Sequence, residues 1–111
     1  MKLFAVLVLA VVACNHAAEA YICQWTTWYS RDLPTHTADN EALNLIRLDN
    51  PGDKICEVPI RIDVRTVTEI PFSMTGQVVK IGPTFGFVCY NADQPDNSPC
   101  LDYKVRFCCE Y

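Results

Sequence analysis

Apolar and polar positions alternate along residues 60–67. Ile60, Ile62, Val64 and Thr66 fall on one side, Arg61, Asp63, Arg65 and Val67 on the other, which is the period of a strand buried on one face. The pattern returns near the C-terminus, where Tyr103, Val105, Phe107 and Cys109 oppose Lys104, Arg106 and Cys108. Shorter runs over 54–58, 77–81 and 86–90 predict three further strands. One segment carries a helical rather than a two-residue period. Residues 39–47 predict a short helix with Asp39 or Asn40 as N-cap and Leu43, Ile46 and Leu48 facing inward.

Turn chemistry separates these runs. Asn50, Pro51 and Gly52 precede one, residues 71–76 another, and Gly82 with Pro83 divides two more. Residues 93–99 form a polar, proline-bearing loop. Short strands at this spacing predict a small antiparallel domain, mainly all-β, with at most one short helix.

The N-terminus has a different pattern. Lys2 precedes an apolar run over 3–13, too short to span a membrane, and Ala18 and Ala20 flank Glu19 in the small-x-small pattern of a signal-peptide cleavage site. The expected organisation is a signal peptide over 1–20 and one secreted, extracellular domain over 21–111. Lys2 and Glu19 leave together, so the net charge of −4 is unchanged. Both signs are scattered, with no basic run interleaved with aromatics, which argues against nucleic acid and against an anionic membrane as partners.

Cleavage also removes Cys14 and leaves Cys23, Cys56, Cys89, Cys100, Cys108 and Cys109. An even set in an oxidising compartment implies three disulfides, each contributing ~2–4 kcal/mol to a domain too small for a large core. The spacings offer no zinc site. Cys108 and Cys109, adjacent on a strand, point to opposite faces and therefore need different partners. Of the fifteen pairings open to six cysteines, those joining 108 to 109 are set aside and the rest stay open.

Catalytic chemistry finds little support. His36, the histidine remaining after cleavage, lies among Pro34, Thr35 and Thr37 with no nucleophile motif around it, and neither a phosphate loop nor a paired-histidine metal motif occurs. One motif does stand out. Cys23, Trp25 and Trp28 form C-x-W-x-x-W. Trp25 is a candidate for C-mannosylation, for which W-x-x-W is the acceptor pattern, and Trp28 is a candidate packing anchor beside a disulfide.

With Asn44 to Arg47, Cys56-Glu57 with Pro59, Arg65, Gly76-Gln77, Gly86 with Val88-Cys89, Asn91 with Asp93-Gln94, and Cys100 with residues 102–106 and Cys108-Cys109, the chain resembles the mucin WxxW (CysD) domain. That domain is known from gel-forming mucins and cartilage intermediate layer protein; here it is expected to stand alone. The resemblance implies a non-enzymatic module of mucus or extracellular matrix, deployed in a developing or epithelial tissue. Its partners would be extracellular proteins such as mucin or matrix components, or copies of itself. A secreted ligand-binding or defence protein, such as a small lectin or inhibitor, is the competing class.

Two departures from the family are informative, because cysteines of the mucin copies are replaced here by Val64 and Ile81. A lost bridge is then expected to be replaced by packing of these two side chains, whose burial gives ~1.5–3 kcal/mol each, comparable to a disulfide. The family also implies a structural calcium site, for which Asp32, Asp39, Asn40, Glu41 and Asp93 are the candidate oxygen ligands. No cofactor is otherwise required.

Overall fold

The computed structural model describes residues 22–31, 34, 35 and 37–110. The signal-peptide reading over 1–20, Asp32 and His36 lie outside these residues. Two three-stranded antiparallel sheets build the domain. The first, sheet A, has the order β1 (Gln24–Trp25), β6 (Tyr103–Cys109), β3 (Arg61–Thr66); the second, sheet B, has β2 (Ala38–Ala42), β5 (Gly86–Tyr90), β4 (Lys80–Gly82). Among the described residues one α-helix, α1 (Leu43–Asp49), follows β2 directly. The antiparallel, mainly β architecture predicted by the alternating pattern is the one observed.

Sheet A follows its hydrophobic pattern closely. Val64 stands opposite Val105 and Ile62 opposite Phe107, and Val64, Thr66, Tyr103, Val105 and Phe107 are buried. Leu43 and Ile46 of α1, with Phe87 and Cys89 of β5, complete the core, where the Phe87 and Tyr103 rings meet at 4.6 Å in a tilted arrangement that suits aromatic quadrupoles. Ile60 is the exception: it precedes the strand and is 40% exposed.

Three other expectations are corrected, the first by backbone pairing with a neighbouring strand and the other two by side chains that take up backbone groups. Residues 39–42 are strand, not the start of a helix. They pair along their whole length with β5, from Ala38 opposite Tyr90 to Ala42 opposite Gly86. The helix begins at Leu43 without a side-chain cap; its first N–H donates instead to the Phe85 carbonyl. Asp39 and Asn40 are therefore not caps, and Leu48 points to solvent. Residues 54–58 form no strand, since the Cys56 and Glu57 carbonyls accept from the Arg47 guanidinium. Of residues 77–81, only 80 and 81 join β4. Val78 instead bonds the Gln94 amide through both its N–H and its C=O (2.8 and 2.7 Å), so a side chain takes the place of a neighbouring strand.

Gly86 is where the two halves of sheet B meet α1. It has φ +97°, and a Cβ there would come within 2.5 Å of the Leu43 nitrogen and 2.6 Å of the Glu41 carbonyl oxygen. Only glycine permits both the dihedral and the approach.

Candidate functional site

The W-x-x-W segment lies along the outer edge of β6. Trp25 is opposite Cys108, Thr26 exchanges bonds with Phe107, donating its N–H to the Phe107 carbonyl and accepting the Phe107 N–H on Oγ1, and Tyr29 exchanges two backbone bonds with Val105. Three steps from Thr26 to Tyr29 thus oppose two from Phe107 to Val105, which is the signature of a bulge. In an unbroken strand positions 25 and 28 would face opposite sides. The extra residue returns Trp28 to the side of Trp25.

Arg106 projects outward between them, its guanidinium 4.6 Å from the centre of each indole. Lys104 and Arg65 lie over Trp28 at 4.7 and 5.3 Å. The cations are further ordered by carboxylates. Asp63 accepts from Arg106 (3.0 and 3.1 Å) and from Arg65 (3.2 Å), and Glu69 pairs with Lys104 and Arg65. Hydrogen bonding from Lys104 holds the Glu69 carboxyl below its ordinary range. The outer face of sheet A is therefore a layered stack of indoles and cations. Trp25 is 40% exposed and Trp28 half-buried; Trp28 packs, but on this outer face and not in the apolar core. Beside it opens a polar cleft of about 540 Å³ lined by Trp28, Tyr29, Ser30, Arg31, Asp49 and Asn50.

Disulfides fix the frame behind this face. Cys23 bonds Cys108, Cys56 bonds Cys109, and Cys89 bonds Cys100. The adjacent Cys108 and Cys109, both fully buried, thus tie two chain-distant segments to one end of β6. Val64 is buried in the core, and Ile81 is partly buried against the same cluster.

The acidic candidates are arranged differently. Asp39 and Glu41 lie on the inward face of β2, 2% and 0% exposed, while Asn40 between them belongs to the other face and accepts the Ala42 N–H. Asp39 accepts the Tyr103 N–H at 2.7 Å, and both Glu41 oxygens accept the Arg31 N–H. Desolvation pushes the Glu41 carboxyl up to about 9 and that of Asp39 to about 6. Burial and the neighbouring Asp39 both favour the protonated form of Glu41. Asp93 sits in the turn after β5 and is exposed. Among the described residues no group of three or more His, Cys, Asp or Glu could hold a metal. Calcium takes six to eight oxygens, more than the Asp39, Glu41 and Asp93 carboxyls would supply by themselves. Nor is any helix among the described residues long and apolar enough to cross a membrane.

The signature described as the mucin-2 protein WxxW repeating region matches residues 25–109. The chain belongs to the mucin WxxW family. Cartilage intermediate layer protein 1 of Homo sapiens is 42% identical over 86 residues, cartilage intermediate layer protein 2 of Homo sapiens 36% over 86, and mucin-2 of Homo sapiens 33% over 92. Each alignment covers 78% of this chain but only 7%, 7% and 2% of the relatives.

Within this WxxW domain, several residues that carried the resemblance have roles the sequence did not disclose. Gln77 accepts the Tyr103 hydroxyl (2.6 Å) and the Leu101 N–H, and donates to the Pro99 carbonyl. With Gln94 it secures the loop closed by Cys89 and Cys100. Arg106 looked like an ordinary outward strand residue, yet it is the centre of the stack. The available signal was the odd spacing of the tryptophans beside an arginine-bearing strand.

Proposed function

We propose that the chain is a secreted, non-enzymatic interaction module of mucus or matrix type, acting through surface contacts with extracellular proteins or with copies of itself. What carries this reading is the outer face of sheet A. Its indoles, exposed at Trp25 and half-buried at Trp28, and its cations lie on a frame closed by two long-range disulfides, the property a rigid contact surface needs. Supporting it, relatives named for mucin and for the cartilage intermediate layer carry this unit as a small part of much longer chains, as modules do.

The test is solution scattering of the purified domain over a concentration series, together with retention on immobilised mucin and on cartilage matrix. Dimers, or retention on either support, are expected. A strict monomer retained by neither would overturn the reading.

Two finer points belong to the same proposal. Trp25 carries a C-linked mannose when the protein passes through a secretory pathway; intact mass should show one added hexose on a peptide containing Trp25, together with a chain beginning at Tyr21. Calcium would need oxygens beyond Asp39, Glu41 and Asp93, with Asp32 the first candidate. A melting temperature raised by millimolar calcium over chelator, and not raised after Asp32→Ala, would establish such a site.

A further inference from the structure

The chain is acidic overall at −4, but its charge is unevenly placed. Within β3 and β6 the outward positions are Arg61, Asp63 and Arg65 on one strand and Lys104 and Arg106 on the other, with Asp63 opposite Arg106 and Arg65 opposite Lys104. Four cations thus share a surface with Asp63 and with Glu69 from the following turn. Two positive charges remain in excess, and Arg61, exposed, has no ion-pair partner among the described residues.

We propose that this face binds a sulfated polysaccharide. Three physical arguments favour that ligand over an acidic peptide. First, alternate residues along a strand lie ~7 Å apart and neighbouring strands ~5 Å apart. The cations therefore form a flat two-row array, suited to charges repeating along an extended polymer. Second, β6, the strand that carries Lys104 and Arg106, is paired on both sides, so no peptide strand can be added directly beside it. Third, Trp25 stands exposed in the same layer as Arg106, and an indole supplies an apolar plate for the C–H face of a sugar ring while guanidinium forks pair with sulfate oxygens. The polar cleft beside Trp28 extends the surface at its edge.

The ligand's sulfates would come from a glycosaminoglycan or from sulfated mucin glycans, and the probes distinguish the two. The disulfide-bonded protein is passed over immobilised heparin, chondroitin sulfate, desulfated heparin and sulfated mucin glycans, and affinity is measured against salt. Binding to at least one sulfated support and not to desulfated heparin is expected, with the sulfated support bound reporting the source. Arg61→Ser, whose side chain has no ion-pair partner among the described residues, should lower the slope of log affinity against log salt by about one, and Arg61→Ser with Arg65→Ser by about two. Lys80→Ser is the control. It removes the same charge from sheet B, where Lys80 lies over Tyr90, and should leave the slope unchanged.

Equal retention on desulfated heparin, no retention on any sulfated support, or the same loss from Lys80→Ser as from Arg61→Ser would each overturn the proposal. None of these results bears on whether the domain dimerises or contacts mucin protein.

Discussion

The two sheets of this domain solve the same problem, holding a small core together, by different means. Sheet A is closed by long loops: its disulfides join residues 85 and 53 apart in sequence, and its core face is almost wholly apolar. Sheet B has one disulfide spanning 11 residues and relies instead on polar side chains, namely the buried Asp39 and Glu41 carboxyls, the buried Gln94 amide and the half-buried Gln77 amide. The difference has a consequence for function. Where covalent closure does the holding, the outer face is free to carry charge and indoles; where side-chain polarity does it, the polar groups are consumed inside.

The strongest way to break this comparison is to remove the closures. In the chain-entropy model, loops of these lengths contribute about 4 kcal/mol for each sheet A bridge and about 3 for the short one. Cys56→Ala with Cys109→Ala should therefore destabilise more than Cys89→Ala with Cys100→Ala, by roughly 1 kcal/mol in denaturant titrations. If the short bridge proves the costlier, the loop it pins between Gln77 and Gln94 matters more than chain entropy, and sheet B is the weaker half.

In each sheet the central strand is the one the sequence describes well, β6 over 103–109 in sheet A and β5 over 86–90 in sheet B. β6 was placed to the residue because two-residue alternation with one dry face is a strong signal. Sheet B's β2 reads as the start of a helix, since Asp39 or Asn40 looks like an N-cap ahead of Leu43, and nothing local says that two acids will be buried. Their burial is settled by Phe87 and Cys89, the residues opposite Glu41 and Asp39 on β5, and by Tyr103 from the other sheet. The tryptophan motif was visible; its geometry was not, because a bulge depends on which strand runs alongside.

Next in size is the contact at Gly86. Alanine there meets backbone atoms at 2.5–2.9 Å and must adopt φ near +97°, so Gly86→Ala should cost about 3 kcal/mol. Gly76 has φ +75° with open space around it, and Gly76→Ala should cost only about 1–2 kcal/mol. Equal losses from the two would mean that the close approach of β5 to α1 carries no penalty of its own.

The carboxyl pair makes sheet B sensitive to pH in a direction sheet A is not. Because the folded values of Glu41 (about 9) and Asp39 (about 6) lie above their unfolded ones, the folded state holds protons that the unfolded chain has released. Stability is then greatest below about pH 4 as far as these two groups are concerned. It falls as pH rises toward the folded values. Glu41→Gln retains an oxygen for the Arg31 N–H and an N–H for Asp39 while removing the titration. Its melting temperature should fall less than the parent's between pH 5 and pH 9. Parallel profiles would show that Glu41 is ionised in the folded protein.

The smallest effect is expected on the outer face of sheet A, and its smallness is the point. Arg106 lies between two indoles and bonds Asp63, an arrangement that looks structural. Partly exposed cation–π contacts contribute only about 0.5–1 kcal/mol each, however, and the disulfides hold β1 beside β6 whether or not the stack is filled. Arg106→Met, which keeps the length of the side chain and removes its charge, should cost about 1–2 kcal/mol and change the tryptophan fluorescence while leaving unfolding cooperative. A loss as large as that of a long-range disulfide would make the stack part of what holds sheet A together, and the division of labour between the sheets would fail. A small loss with a clear fluorescence change leaves the stack as a surface feature carried by a frame that stands without it.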